Sequence, residues 1–259
     1  MSGSNALRHE AGVPDFAPDW ALFLDVDGTL LDIAGHPDAV TVAPGLHDLL
    51  ERVHRLNDGA VALISGRSLS DLDRLFGPLR FCAAGQHGLE RRDREGLITR
   101  SIGAMERINE AAQALATHAR MHEGAVVEHK GLSLALHYRN APGLADWAAR
   151  TMQSLLAALG PAFQLVQGKM VLELKPGGRD KGTAIADFLS EPPFAGRLPV
   201  FVGDDATDED GFAVANLAGG HSIKVGEGAS AARWRLADAR AVRGWLEAYT
   251  DFLATGAAR

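Results

Sequence analysis

The stretch W-A-L-F-L-D-V-D-G-T, residues 20–29, decides the fold. Its first five residues are continuously apolar and the run stops at Asp25. A short apolar run without alternation is what a parallel strand covered on both faces looks like. Asp25 and Asp27 stand at i and i+2, so their carboxylates share a face, and Gly28 lets the chain turn sharply away. Ligands of open α/β sheets bind beyond the carboxyl ends of the strands, where this pair is expected to lie. Two carboxylates held together repel unless a cation shares them or one is protonated.

Similar apolar runs recur at 60–64, 80–84, 198–202 and 222–225, with helical periodicity between them at 45–56, 70–76, 181–189 and 209–218. Strands alternating with helices predict a doubly wound, mostly parallel α/β domain. The middle of the chain reads differently. A long amphipathic helix at 102–122 precedes strands at 125–128 and 132–138. A second helix at 144–159 then precedes strands at 163–167 and 170–174. Helix, hairpin, helix, hairpin predicts a small α+β unit on an antiparallel sheet. Glycine-containing hinges flank it, near 96–103 and at 176–178. The expected organisation is therefore a discontinuous core, 1–100 and 177–259, with an inserted domain at 101–176.

Composition narrows the functions available. Of 259 residues, 46% are hydrophobic and 23% charged, the mix of an ordinary globular protein. The net charge of −7 gives the chain as a whole no attraction for nucleic acid or an anionic membrane. An anionic substrate would have to be drawn in by local cations or a metal. A single cysteine, Cys82, excludes an intrachain disulfide and suits a reducing compartment. The first 17 residues lack the apolar core of a secretory signal and no stretch suits a spanning helix, so a cytoplasmic location is expected.

Three further segments end strands or open helices. S-G-R, residues 65–67, places the Ser65 hydroxyl and nearby amides where they can hold an anion at a helix amino end, although a turn serine fits there equally. Lys181 opens a helix in R-D-K-G-T, an unfavourable place for a cation that calls for a compensating anion. G-D-D-A-T-D-E-D, residues 203–210, puts five carboxylates into seven positions, a hard-cation site if some converge. Asp204 is the best ligand among them. Asp208 reads as the N-cap of the next helix, and Asp205 as a partner of Lys181 or of metal-bound water.

Taken together, these segments resemble the haloacid dehalogenase superfamily and, within it, the trehalose-6-phosphate phosphatases. The resemblance runs from about residue 20 to 245. It is carried by D-V-D-G-T-L-L-D-I (25–33), H-P-D (36–38), S-G-R, G-Q-H-G-L-E (85–90), V-E-H-K-G-L-S-L-A-L-H-Y-R (127–139), L-E-L-K-P-G (172–177) and G-D-D-A-T-D-E (203–209). It implies that Asp25 is a nucleophile forming an aspartyl phosphate and Asp27 a general acid–base. Ser65 and Lys181 would hold the phosphoryl oxygens. Mg2+ would be bound by Asp25, Asp204 and the backbone carbonyl of Asp27. The inserted unit would be a cap, with Glu128, Lys130 and Glu173 on the glucosyl hydroxyls and Arg67, Gln86 and His87 reaching the substrate from the core. The implied substrate is trehalose 6-phosphate and the implied functional partner a trehalose-phosphate synthase. Another sugar phosphate, or a non-catalytic sugar-phosphate-sensing module, are the competing readings.

Overall fold

A computed structural model describes residues 12–33, 40–77, 80–101 and 105–256. The H-P-D segment at 36–38 lies outside them. β1 (Trp20–Leu24) is buried along its whole length. Its residues divide between two apolar clusters with period two: Trp20, Leu22 and Leu24 face one, Ala21 and Phe23 the other. This is why the run shows no alternation. Both faces are covered, and each large side chain so buried contributes roughly 1.5–3 kcal/mol.

Beside β1 on one side run β2 (Val61–Ile64) and β3 (Cys82–Gly85), and on the other β10 (Leu198–Gly203), β11 (His221–Val225) and β12 (Trp234–Leu236), all parallel. β4 (Glu90–Arg92) and β5 (Ile98–Arg100) extend the β3 edge antiparallel, giving the order β12-β11-β10-β1-β2-β3-β4-β5. The helices flank it: α1 (Leu46–Leu56), α2 (Leu69–Phe76) and α7 (Ala239–Gly256) supply residues to one cluster, α5 (Lys181–Leu189) and α6 (Glu209–Leu217) to the other. α7 closes the first face with an aromatic stack. Trp20 lies 5.0 Å from Tyr249 and 5.9 Å from Trp245, ring centre to ring centre.

The inserted stretch forms a second layer of its own. α3 (Met105–Ala119) and α4 (Ala145–Leu159) pack on an antiparallel sheet ordered β6-β7-β9-β8. The strands are β6 (Val126–His129), β7 (Leu134–His137), β8 (Phe163–Gly168) and β9 (Val171–Pro176). A separate apolar cluster holds it, with Ile108, Leu115, Leu134, Leu136, Met152 and Leu174 at 0% exposure. The chain thus has a doubly wound α/β core and an α+β insertion, the fold class read from sequence.

Candidate active site

Asp25 follows β1 directly and is 4% exposed. Its Oδ1 accepts from Lys181 Nζ at 2.7 Å, and the same ammonium donates to Asp208 Oδ1 at 2.6 Å. Lys181 is the first residue of α5 and needs an anion there. The two carboxylates supply it, while Asp180 caps the helix by accepting from the Thr183 amide at 2.7 Å. Burial pulls the Lys181 ammonium down, but Asp208 and Asp25 overcome it and hold its pKa well above the usual range. Asp25 behaves oppositely. Burial raises its carboxyl, Lys181 opposes, and Asp208 and Asp204 add repulsion, leaving it well above the ordinary carboxylate range. The cluster is short of positive charge.

Asp204 ends the strand beside β1 and lies 4% exposed. Gly28 makes its approach possible: with φ at +83°, a Cβ there would sit 2.2 Å from Asp204 Oδ2. Burial raises the Asp204 carboxyl and Lys169 draws it back. Asp25, Asp204 and Asp208 can each offer an oxygen with all three within 4.8 Å of one another. Lys181 engages Oδ1 of Asp25 and Lys169 engages Oδ2 of Asp204, so each keeps its other oxygen for a cation. Buried, convergent carboxylate oxygens suit a hard divalent ion such as Mg2+.

Two readings of the acidic run change. Asp208 does not cap α6 through its side chain. It is fully buried and turns back, with Oδ2 accepting from the amides of Asp204 (2.9 Å) and Asp205 (2.8 Å) while Oδ1 holds Lys181. Asp205, expected to partner Lys181 or metal-bound water, does not bond Lys181; it accepts from the amide of Ala206 at 2.7 Å and lines the cavity beside Asp204. Carboxylates one helical turn apart in sequence cannot be ranked by type alone. Burial ranks them here.

Asp27 lines the same cavity as Asp25 but is engaged by a different cation. Its two carboxylate oxygens accept from Arg67 Nε and Nη2, both at 2.7 Å, a bidentate pair that fixes the carboxylate's orientation. Arg67 therefore reaches the cavity as the partner of Asp27. The Asp27 carboxylate stands outside the three-carboxylate group. Ser65, 1% exposed, ends β2 one strand away and accepts from the Arg67 amide at 3.1 Å.

Gln86 and His87 both adopt left-handed backbone, φ 48° and 55°, rare for residues with side chains. The bend presses the His87 ring against Gly66, where a Cβ would come within 2.7 Å of Nε2. His87 Nε2 meets Glu173 Oε2 at 3.3 Å. Burial lowers the His87 imidazole pKa against the pull of Glu173. Neither Gln86 nor Ser65 is among the residues lining the cavity. The Gln86 carbonyl accepts from the Leu132 amide at 3.1 Å and Ser133 Oγ at 3.3 Å, and its amide donates to Glu90 at 3.2 Å. Read from sequence as a substrate contact, it ties the core to the insertion instead.

The insertion closes over this floor. Lys130 Nζ donates to the Gly66 carbonyl at 3.0 Å and to Glu173 Oε2 at 2.8 Å, while Glu128 Oε2 pairs with His137 Nε2 at 2.8 Å. Between floor and roof lies a cavity of about 190 Å³ that touches Asp25, Asp27, Lys181 and Asp204 below and Glu128, Lys130 and Glu173 above. Lys169, on the β8–β9 turn, also reaches down to Asp204. The sequence reading missed it, because nothing in G-K-M shows which way a hairpin tip leans. Glu173 Oε1 and His87 Nδ1 are buried without a hydrogen-bond partner among the described residues. Buried polar atoms are ordinarily served by protein, water or a ligand, and both of these belong to residues that line the cavity.

Burial raises the Glu173 carboxyl, but Lys130 and then His87 overcome it and hold it well below the usual range. A depressed folded pKa stabilises above the unfolded value and loses that contribution as the pH falls through the folded one. Glu173→Gln should therefore lower the melting temperature at neutral pH by an amount corresponding to about 3–5 kcal/mol, because Lys130 stays buried without its partner. The gap to the parent should narrow as the pH falls well below 4.5. A gap independent of pH would contradict the charge pairing.

Residues 23–240 match the family model described as Trehalose-phosphatase. The chain is 47% identical to the trehalose-6-phosphate phosphatase of Escherichia coli K12 over 242 residues, 93% of this chain and 90% of that one. It is 42% identical to a probable trehalose-phosphate phosphatase of Sinorhizobium fredii, covering 96% and 95%. A solved trehalose-6-phosphate phosphatase related protein superposes with a TM-score of 0.79 at 25% identity, over 91% of this chain and 99% of that one.

Proposed function

The chain belongs to the trehalose-phosphatase family, enzymes of the phosphoric monoester hydrolase class, and from that premise we propose that it hydrolyses trehalose 6-phosphate to trehalose and phosphate through an aspartyl phosphate on Asp25. The observation that carries this reading is the placement of Asp25, bonded to Lys181, at the floor of a cavity roofed by Glu128, Lys130 and Glu173.

An oxygen of Asp25 forms the bond to phosphorus as the bond from phosphorus to the sugar oxygen breaks. Asp27 gives its proton to that departing oxygen. It takes a proton back from the water that then attacks the aspartyl phosphate, releasing phosphate and restoring Asp25. Lys181, and Ser65 at the end of the neighbouring strand, would hold phosphoryl oxygens, where fixed charge and positioning supply most of the acceleration. Arg67 orients Asp27. Asp25 and Asp204 would bind Mg2+ with the Asp27 carbonyl, and Asp208 would hold Lys181 and the Asp204 backbone in place. Bound there, the ion supplies the positive charge that the cluster lacks. Above, the unserved oxygen of Glu173 and the ammonium of Lys130 suit sugar hydroxyls, which would replace the contacts that close the cavity.

Such an enzyme would work in the cytoplasm, fed by a synthase that makes the sugar phosphate. Among the described residues no helix is long and apolar enough to cross a membrane.

Phosphate release from trehalose 6-phosphate, sucrose 6-phosphate and glucose 6-phosphate tests the substrate. The trehalose compound should be preferred by orders of magnitude in kcat/KM; equal turnover of all three would refute the assignment. Lys130→Ala and Glu128→Ala should each lower kcat/KM for trehalose 6-phosphate about tenfold to a hundredfold, the worth of a hydrogen bond to a charged group. Slow hydrolysis of a small aryl phosphate, which offers no glucosyl hydroxyls, should barely change. Equal losses on both would make these residues structural.

A further inference from the structure

A second cavity opens at the other end of the strands from Asp25, where α1 leads into β2 and where β3 begins. It measures about 350 Å³ and is lined by His54, Arg55, Arg80 and Arg94, with Gly59 and Cys82 in its wall. We propose that this cavity is a second, non-catalytic site for a small dianion of the phosphate class.

The three arginines arrive from three elements. Arg55 comes from the last turn of α1, Arg80 from the lead into β3, and Arg94 from the turn between β4 and β5. In a chain with 33 acidic and 26 basic residues, three of the eight residues that line this concavity are arginines. Among the described residues no hydrogen bond or ion pair engages any of the three guanidiniums. The one carboxylate on the cavity, Asp58, is turned to Arg197 at 3.2 Å. The carboxyl end of α1 accounts for basic residues in its last turn. It does not account for Arg80 or Arg94, which belong to other elements.

The chemistry selects the ligand. Guanidinium forks match the paired oxygens of phosphate, and several around one anion neutralise it without a metal. His54 lines the cavity with its ring packed edge-on against Phe81, centroids 5.5 Å apart, which fixes the position of that wall. A polyanion such as nucleic acid is disfavoured, since the chain as a whole carries a net charge of −7. An anion held here would clamp α1 and the β4–β5 turn onto the starts of β2 and β3. The far ends of those two strands carry Ser65 and Gln86.

The test is calorimetric titration of inorganic phosphate into the full-length chain and into Arg80→Gln/Arg94→Gln, with sodium chloride at matched ionic strength as the control. The parent should bind two phosphates, one of them at the active site, and the double variant only one. Turnover and inhibition by phosphate should be unchanged in the variant, which also shows that it is folded. Each single variant should weaken the second phosphate about tenfold, the effect of losing about 1.4 kcal/mol. One phosphate in the parent, an unaltered isotherm in the variants, or an equal response to chloride would overturn the proposal.

Discussion

Asp25→Asn should cost about 10⁴-fold or more in turnover, the scale seen when a nucleophile is removed, while the chain stays folded. Asparagine nearly matches the shape of aspartate and can still accept from Lys181, but its amide cannot form an acyl phosphate. The substitution also removes a buried negative charge whose pKa burial holds well above the ordinary range. An acid with a raised folded pKa keeps its proton longer in the folded chain than in the unfolded one. Its destabilising contribution is absent below the unfolded pKa and fully present above the folded one. In metal-free protein the variant should therefore melt no lower than the parent at neutral pH, and its advantage should grow as the pH rises through the folded pKa of Asp25. Lys181 keeps Asp208 at 2.6 Å, so the ammonium is not orphaned. Phosphate release by the pure variant at a substantial rate would remove Asp25 from the chemistry. A variant that unfolds would contradict the electrostatic account.

Chelation with EDTA should suppress turnover about a thousandfold, equivalent to about 4 kcal/mol of lost charge stabilisation. Three buried carboxylates stand within 4.8 Å of one another, and Lys181 balances only part of their charge. Mg2+ added back should restore the rate. It should also raise the melting temperature of the parent more than that of Asp204→Asn, because a ligand that binds only the folded chain stabilises it. Full activity in excess EDTA would refute the metal reading.

Much of this arrangement was legible beforehand because it rests on local signals. A doubly covered strand must be apolar on both faces, so β1, β2, β10 and β11 stood out. Asp25, Lys181 and Asp204 stand out as candidates because each lies at a strand end or helix start. α7 was passed over, although Val242, Trp245, Leu246, Tyr249 and Leu253 are spaced to line one helical face and are buried. The short strands β4, β5 and β12, of three residues each, carry too little pattern to be seen. What could not be read were relations set by tertiary packing. That Asp208 rather than Asp205 takes Lys181 depends on a backbone turn. That Arg67 faces Asp27 depends on how the ends of β1 and β2 meet; that Gln86 faces Leu132 and Lys169 reaches Asp204 depends on how the insertion settles on the core. Those contacts join residues 35 to 46 positions apart, beyond the reach of any local pattern.

Turnover by the proposed route passes through a covalent bond between phosphorus and Asp25. The most direct measurement is a single turnover of trehalose 6-phosphate with Mg2+, quenched in acid within the first turnover and read by peptide mass spectrometry. The peptide carrying Asp25 should gain the mass of one phosphoryl group, absent from Asp25→Asn and lost from the parent as the turnover completes. Complete phosphate release without labelled Asp25 at any quench time, or with the label on another residue, would contradict this route.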